Sequence, residues 1–391
     1  MDIEKISFGI ITRSLTKLSP IKDFLENAQK YGHTINHLII GYNSYVDPKI
    51  INQLKSYCQI TTVQRGNSPY LVESMKKIGL TGNEIETIIG TPHLKKYGMV
   101  AYGTSRNYVL LTAIFKEIDF LMYFDSDIYP KILVGQENGE YFFQEIDFVG
   151  NHLKFLRTTN DIVVTSSDYT GYYIIPKMNF PYLRELLFGL QKEDRFYYIN
   201  SVDTPVVRNC CLKNIFNTNK ILGGNQAIDL RKFALIPPFY STTLVMDDEC
   251  FLGRGEDTLF GPIIHSYDGR CVDIDLLIFH DCFGDFPNKP DISIKKNLDR
   301  FYYACMGWII RNPFFNWIRK EYFDEAEKID YKERLEALKI GSKSAAEYFS
   351  DERFLKMPEA FKKAYGKLPQ DIKHFHKLIN AWNKMKYLLK K

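Results

Sequence analysis

The pattern of hydrophobic and polar positions near the start of the chain alternates between short apolar runs and longer amphipathic segments. The apolar runs predict strands at Ile6–Ile11, Asn36–Gly41 and Ile60–Val63. The segments between them predict helices at Pro20–Tyr31 and Pro48–Tyr57. Because strands that alternate with helices are typical of right-handed βαβ units, the pattern predicts an α/β fold with a mainly parallel sheet.

The most informative stretch is an apolar strand that runs into two carboxylates. Phe120–Phe124 is an unbroken apolar run, which suits a strand buried on both faces. Asp125 and Asp127 follow at its carboxyl end, the edge at which open α/β sheets bind ligands. A hard divalent cation prefers one or two carboxylates plus substrate phosphates, so this spacing predicts a metal site. The triplet Asp273–Asp275 has the same spacing, and we interpret it as structural.

The remainder of the chain predicts a less regular succession of elements. Strands are predicted at Phe148–His152, Tyr172–Ile175 and Val272–Phe279, the last of which delivers His280. A helix is predicted at Tyr182–Leu190. Others are predicted at 103–118, where Thr104 or Ser105 can act as N-cap, and at 253–267; beyond Pro313 the chain is predicted to be helical and rich in lysine.

Composition and charge narrow the classes of protein. The 391 residues are 45% hydrophobic, which is ample for a buried core. The net charge of +4 is too small to indicate a nucleic-acid partner. It is also unevenly distributed, because residues 315–391 hold 18 Lys and Arg against 12 Asp and Glu, whereas the preceding 314 residues are close to neutral. A basic tail on a near-neutral body indicates a surface for anionic partners.

Cysteine usage and the N-terminus indicate a cytoplasmic protein. The seven cysteines include the adjacent Cys210 and Cys211 and no Cys-x-x-Cys spacing, which favours reduced thiols. Asp2 and Glu4 precede the first strand, so we expect no signal peptide. No apolar run approaches the length of a membrane span. We therefore expect a cytoplasmic protein that is at most peripheral to a membrane.

Charged and glycine residues recur along the chain in one order. In sequence they are Arg106-Asn107, Asp125-Ser126-Asp127, Gly223-Gly224, Gly255-Glu256-Asp257 and His280. This order resembles the layout of glycosyltransferases with the GT-A fold, over about residues 5–285. The acid-bearing part resembles the Gly-Gly-Glu-Asp segment of β-1,4-galactosyltransferases and chondroitin-polymerase-like enzymes. The chain departs from that group at Arg254-Gly255, where a Trp-Gly-Gly run is common, and at Tyr42–Ser44, which lacks an acid for the nucleotide base.

The resemblance implies a Rossmann-like GT-A fold, with a mixed, mainly parallel sheet flanked by helices and a C-terminal helical extension. It implies Mn²⁺ or Mg²⁺ held by Asp125, Asp127 and His280. Arg254 and Glu256 are expected to bind the acceptor, with Asp257 as the general base. The residues expected to bind the donor are Thr12, Arg13, Asn43, Arg106, Asp125, Ser126, Gly223 and Gly224. The residue types suit this chemistry, since a cation stabilises a leaving diphosphate and a carboxylate accepts the hydroxyl proton.

The implied activity is transfer of a hexosyl group from a nucleoside-diphosphate sugar, with a UDP-sugar favoured, to a glycan, lipid-linked or protein hydroxyl, with inversion. We expect a catalytic domain at 1–314, with a nucleotide-binding half at 1–127 and an acceptor-binding half at 128–314, and a helical extension at 315–391. Three alternatives remain open: a retaining GT-A enzyme, a sugar nucleotidyltransferase and an inactive carbohydrate-binding protein. The chain lacks the Gly-rich signature that a sugar nucleotidyltransferase carries near its first strand, because Phe8–Ser14 holds only Gly9.

The C-terminal tail carries one apolar stripe at helical spacing among many lysines. The stripe consists of Phe375, Leu378, Ile379, Trp382, Met385 and Leu389, and Pro369 lies near the expected start of the helix. One interpretation is a helix that packs on its own domain or on a second subunit. The other is a basic amphipathic helix that lies on an anionic membrane and brings the site to a membrane-bound acceptor.

Overall fold

The computed structural model describes residues 4–90, 94, 96–208, 215–323 and 330–390, so Cys210 and Cys211 lie outside the described residues. Its strands are β1 (Ile6–Leu15), β2 (His37–Val46), β3 (Gln59–Gln64), β4 (Phe120–Phe124), β5 (Ile128–Tyr129), β6 (Lys131–Glu137), β7 (Glu140–Glu145), β8 (Ile162–Ser166), β9 (Tyr169–Thr170), β10 (Phe216–Asn217), β11 (Asn225–Asp229), β12 (Thr243–Met246), β13 (Glu249–Leu252), β14 (Arg270–Asp273) and β15 (Ile278–His280).

The α-helices alternate with the first strands and then dominate the C-terminal part. Within the described residues they are α1 (Ile21–Lys30), α2 (Pro48–Leu54), α3 (Pro69–Lys77), α4 (Gly82–Ile89), α5 (Tyr102–Phe115), α6 (Phe148–Leu156), α7 (Leu183–Gly189), α8 (Phe196–Asn200), α9 (Glu256–His265), α10 (Lys295–Phe323), α11 (Tyr331–Phe349) and α12 (Met357–Leu389). The helices α3 and α4 lie between β3 and α5.

The large sheet has the strand order β10-β14-β8-β11-β4-β1-β2-β3. β4, β1, β2 and β3 are parallel neighbours, and β11 is antiparallel to both β4 and β8. β8 and β14 therefore run in the same direction as β4. The predicted α/β class is confirmed, with a mixed and mainly parallel sheet flanked by helices and followed by C-terminal helices.

Both faces of the sheet are covered by helices, because successive side chains of a strand point to opposite faces. On β4, Phe120, Met122 and Phe124 pack into one core with α1, α2 and α6. Leu121 and Tyr123 pack into the other core with α3, α4, α5, α9 and α12. All of these β4 side chains are fully buried, and burying one large apolar side chain stabilises the fold by about 1.5–3 kcal/mol.

The strand order reverses direction between β1 and β4. The chain moves outward from β1 through β2 to β3, and then returns to place β4 on the other side of β1. A crevice at the carboxyl ends of the strands forms at such a point, and it is the usual ligand site of open α/β sheets. Thr12 and Arg13, near the end of β1, and Asp125, directly after β4, lie at this edge.

The C-terminal helices are part of the packed structure. α10 is continuous through positions 314 and 315, where the domain boundary was expected. The stripe residues Phe375, Leu378, Trp382 and Met385 are buried in the core that also contains β4 side chains. The packing interpretation of the tail therefore describes these four side chains, which are not free to contact a membrane. No helix among the described residues is long and apolar enough to cross a bilayer.

Two strand predictions for the middle of the chain were wrong, and a third was right only at its two ends. Residues 148–152 begin α6, because the Asp147 side chain accepts the backbone N–H of Gly150 at 2.8 Å and caps the helix. Tyr172–Ile175 is not a strand, and the buried strand of this region is β8. Residues 272–279 form two strands, because Asp275 at φ +55° breaks the run.

Pro369 does not mark the start of the last helix, and the described cysteines form no disulfide. Pro369 lies inside α12, and α12 begins about three turns earlier, with Pro358 in its first turn. The five described cysteines are all free, as expected for reduced thiols.

Candidate active site

A pair of short strands brings the second acid of the Asp-x-Asp triplet next to the predicted histidine. β5 and β15 pair antiparallel, with Ile128 opposite His280. The backbone N–H of Asp281 donates to the carbonyl of Asp127 at 2.8 Å. As a result, His280 Nε2 lies 3.3 Å from Asp127 Oδ2. Strand pairing therefore unites two residues that are far apart in the sequence.

Arg300 of α10 is a third member of this group, and sequence reasoning missed it. Its Nη2 lies 3.7 Å from Asp127 Oδ2, and its Nη1 donates to the carbonyl of Cys282. Burial by itself raises the pKa of Asp127, but His280 and Arg300 outweigh it, so the pKa lies below its ordinary value. No motif marks Arg300, since only the packing of α10 brings it here.

Asp125 faces a different cation. Arg106 Nη2 lies 3.6 Å from Asp125 Oδ1. Withdrawal from water and the charges of Asp127 and Asp257 raise the pKa of Asp125, although Arg106 opposes them. Within the described residues, no group of three or more His, Cys, Asp or Glu side chains is arranged to hold a metal ion. Asp127 and His280 thus form a pair of potential ligands, with Asp125 beside Arg106.

Arg106 is the centre of a buried polar network. Its Nε donates to Glu256 Oε1 at 2.8 Å, and its Nη1 donates to the carbonyl of Gly223 at 3.0 Å. Its guanidinium lies 5.1 Å from the ring centroid of Tyr123, a cation–π contact. Burial lowers the pKa of Arg106, but nearby carboxylates outweigh it and raise the pKa, so Arg106 remains charged. Glu256, predicted to bind the acceptor, is buried and paired with Arg106.

The Gly223-Gly224 turn fits between these side chains only because it lacks Cβ atoms. A Cβ on Gly223 would lie 2.0 Å from Arg106 Nη2, and one on Gly224 would lie 2.6 Å from Asp125 Oδ2. The backbone N–H of Gly224 is donated to the hydroxyl of Tyr169 at 3.1 Å. The Tyr169 ring also packs on the imidazole of His280, at 4.9 Å between centroids. Tyr169, which sequence reasoning missed, thus connects the two groups of site residues.

Asp257 lies in the first turn of α9 and is held by backbone donors. Its Oδ2 accepts the N–H of Gly223 at 2.7 Å, and its Oδ1 accepts the N–H of Thr258 at 2.7 Å. Gly255 precedes the helix at φ +91°, a conformation that side chains strain to adopt. This arrangement aligns one carboxylate beside the Gly223-Gly224 turn.

The residues predicted to bind the nucleotide from β1 and β2 lie at the same sheet edge. Arg65 Nη2 donates to the carbonyl of Thr12 at 2.8 Å, and Arg65 Nη1 donates to Ser105 Oγ at 2.7 Å. Asn43 Nδ2 donates to the carbonyl of Gly98 at 3.0 Å. Burial lowers the pKa of Arg65 to about 10. Sequence reasoning missed Arg65, because no motif surrounds it.

The structure therefore unites most of the predicted site residues and leaves a few outside. Arg106, Asp125, Gly223, Glu256 and Asp257 form one network, and Asp127 with His280 forms the adjacent pair. Arg13 and Ser126 are exposed and have no hydrogen bond to either group within the described part of the chain. Arg254 lies one position before Gly255, where its backbone N–H donates to the carbonyl of Gly307 at 3.3 Å.

Comparisons with known proteins gave structural likenesses only. No family model matches the chain, and no curated protein matches it. Glucosyl-3-phosphoglycerate synthase from Mycobacterium tuberculosis in complex with Mn²⁺, UDP and phosphoglyceric acid has a TM-score of 0.40 and 14% identity, over 78% of this chain and 76% of that chain. The same synthase with phosphoglyceric acid alone gives 0.38 and 14%, over 78% of each chain. A mycobacterial protein gives 0.37 and 12%, over 78% of this chain and 74% of that chain.

Proposed function

We propose that the chain is a metal-dependent GT-A glycosyltransferase that moves a glycosyl group from a nucleoside-diphosphate sugar, a UDP-sugar in the first instance, to a hydroxyl group. One observation carries the proposal. Arg106 contacts Asp125 at the carboxyl end of β4 and Glu256 at the start of α9, so acids from distant segments surround one crevice. That crevice lies where open α/β sheets bind ligands.

Asp127 and His280 suit a divalent cation. Their Oδ2 and Nε2 atoms lie 3.3 Å apart. Carboxylate oxygen is a usual ligand of Mg²⁺ and Mn²⁺, and neutral imidazole is the commonest protein metal ligand. Diphosphate oxygens of the donor would complete the ligand set, with Asp125 beside them. The bound ion supplies positive charge that stabilises the leaving diphosphate.

The chain's own cations and one carboxylate account for the rest of the reaction. Arg106 lies beside Asp125 and Arg300 beside Asp127, so both arginines can stabilise negative charge on the leaving group. The acceptor oxygen forms a bond to the anomeric carbon while the bond from that carbon to the diphosphate oxygen breaks. The nucleoside diphosphate leaves with the electron pair. The acceptor proton moves to Asp257, and this single displacement inverts the anomeric centre.

A thermal-shift screen of UDP, GDP, CMP and dTDP, each with and without Mn²⁺, tests the donor site. A ligand that binds only the folded state raises its melting temperature. We expect one nucleoside diphosphate to raise it, and to need the metal ion for most of the effect. If no nucleotide raises the melting temperature under either condition, the proposal is wrong.

Catalysis is tested with the matching sugar nucleotide. We expect the protein to release nucleoside diphosphate in the presence of Mn²⁺, which an inactive carbohydrate-binding protein would not do. NMR analysis of the product anomer then tests the role of Asp257. An inverted product supports a base at this position, whereas a retained product would remove Asp257 from that role and leave the donor site in place.

A further inference from the structure

Arg311 lies close to Asp257, and with Lys192 and Arg254 it forms a group that we call the cation cluster. None of the three has a carboxylate within ion-pair distance among the described residues. Arg311 belongs to α10 and is buried, with 6% of its surface exposed. A Cβ on Gly255 would lie 2.7 Å from Arg311 Nη1. The guanidinium therefore lies against the start of α9, where the helix dipole is positive.

The positive charge of Arg311 has few polar partners among the described residues. Its Nη2 donates to the amide oxygen of Asn312 at 3.0 Å, and its Nε is buried without a hydrogen-bond partner within the described residues. Burial lowers the pKa of Arg311 to about 10, and Asp257 is the carboxylate that opposes this shift. A buried guanidinium normally pairs with an acid, so this one has capacity for an anion.

Lys192 lies next to Arg311. The carbonyl of Leu190 accepts a hydrogen bond from Asn312 Nδ2 at 2.8 Å, which places this loop on α10. Lys192 Nζ lies 5.2 Å from the ring centroid of Trp308. Burial and the charge of Arg311 lower the pKa of Lys192 to about 7. In the described structure, the Lys192 ammonium has no hydrogen-bond or ion-pair partner.

The acids adjacent to Lys192 in the sequence are engaged elsewhere. Glu193 Oε1 lies 2.6 Å from Arg334 Nη1, and Asp194 Oδ2 lies 3.0 Å from Arg195 Nε. Both acids oppose the lowering of the Lys192 pKa, but burial and the charge of Arg311 outweigh them.

Arg254 packs on α10 one turn before Arg311. A Cβ on Gly307 would lie 2.8 Å from Arg254 Cγ, so the absence of a side chain at Gly307 admits Arg254. Gly307 and Arg311 are four residues apart on α10 and share one face of the helix. The Arg254 side chain is half-buried and has no hydrogen-bond or ion-pair partner within the described residues.

We infer that the cation cluster binds an anionic oxygen group, phosphate or carboxylate, of the acceptor, so that the acceptor hydroxyl lies at Asp257. The inference rests on the proposed function and specifies its acceptor class. Charge-assisted hydrogen bonds from Lys192 and Arg254 would bind this group, and the buried Arg311 would add positive charge nearby. The neighbouring Asp257 is the carboxylate that takes the hydroxyl proton.

Inorganic phosphate tests the cation cluster without catalysis. Protein saturated with UDP and Mg²⁺, so that the donor site is filled, is titrated with phosphate in a thermal-shift assay. We expect phosphate to raise the melting temperature of the unsubstituted protein and of Lys343→Met, whose lysine is 73% exposed on α11. We expect the shift to be lost in Lys192→Met and in Arg254→Gln. The inference is overturned if phosphate gives no shift, or the same shift in all four proteins.

Matched acceptors separate the two anion types. Glucose, glucose 6-phosphate and glucuronic acid share ring hydroxyls and differ at one position. We expect transfer to a charged member with kcat/KM at least about 10-fold above glucose, and a rise in its KM of about 10-fold in Lys192→Met, as for a lost bond to a charged group. Preferred use of glucose would refute the inference while leaving glycosyl transfer established. If none of the three acceptors is used, the phosphate titration decides whether the cation cluster binds an anion. If UDP itself does not bind, the result counts against the proposed function and not against the cation cluster.

Discussion

The carboxylate of Asp257 accepts a hydrogen bond from the backbone N–H of Gly223, with 2.7 Å between Oδ2 and N. The carbonyl of the same glycine accepts from Arg106 Nη1 at 3.0 Å. One peptide position therefore aligns both the proposed base and the central cation. The turn acts as a positioning element for two side chains that come from different helices.

Gly223→Ala tests this relationship. The new Cβ would lie 2.0 Å from Arg106 Nη2, so the guanidinium must move away from its partners. We expect the variant to lose about 1–3 kcal/mol of stability, as overpacked sites do, and to lose turnover. Denaturant unfolding and nucleoside-diphosphate release measure the two effects. Gly135→Ala is the control, because a Cβ there would contact nothing within 4 Å. Equal behaviour of the two variants would contradict the tight fit.

Asp127→Ala and His280→Ala test the proposed metal ligands. We expect each variant to fold and to lose the Mn²⁺ dependence of nucleotide binding, because each removes one of two facing ligand atoms. Isothermal titration with nucleoside diphosphate, with and without Mn²⁺, measures this. Asp161→Ala is the matched control, since Asp161 is exposed and pairs with Arg270. Unchanged metal dependence in either variant would show that its residue is not a ligand.

Asp257→Asn tests the proposed general base. Asparagine keeps the size of the side chain but cannot accept the hydroxyl proton. We expect turnover to fall by about 10² or more, with donor affinity nearly unchanged. Steady-state kinetics and nucleotide titration separate the two effects. Near-normal turnover would exclude Asp257 from the chemical step.

Arg300→Gln tests the cation that sequence reasoning missed. Removal of its positive charge from beside Asp127 should weaken metal-dependent binding of nucleoside diphosphate by about 10-fold, as expected for one bond to a charged group. Isothermal titration in the presence of Mn²⁺ gives the dissociation constant. Arg270→Gln, at an exposed ion pair, is the control. If Arg300→Gln binds like the control, Arg300 serves only the carbonyl of Cys282.

Trp382→Ala tests whether the tail is a packing element. Trp382 is fully buried, and its Nε1 donates to the carbonyl of Ile236 at 2.9 Å. We expect a loss of about 3–5 kcal/mol in the free energy of unfolding. Leu355→Ala is the control, because Leu355 is 52% exposed. The same buried stripe predicts that the intact protein does not sediment with anionic liposomes at low salt, and sedimentation would reopen the membrane interpretation.

The hydrophobic pattern by itself determined the fold from β1 to β4. β1, β2, β3 and β4 and the helices between them follow from short apolar runs and amphipathic segments, because local periodicity reports which face of an element is buried. The pattern also placed Asp125 at the carboxyl end of a strand. It was wrong at Phe148–His152, where the Asp147 side chain caps the start of α6.

The order of motifs determined the candidate residues, and tertiary structure decided their partners. Strand pairing brings His280 to Asp127, and the packing of α10 brings Arg300 and Arg311 to the site. Glu256 pairs with Arg106, although the sequence favoured an acceptor role for it. Such contacts depend on the distance between residues far apart in the chain, which local periodicity and spacing do not encode. For the same reason, the stripe of α12 became buried core only once the rest of the chain was in place to cover it.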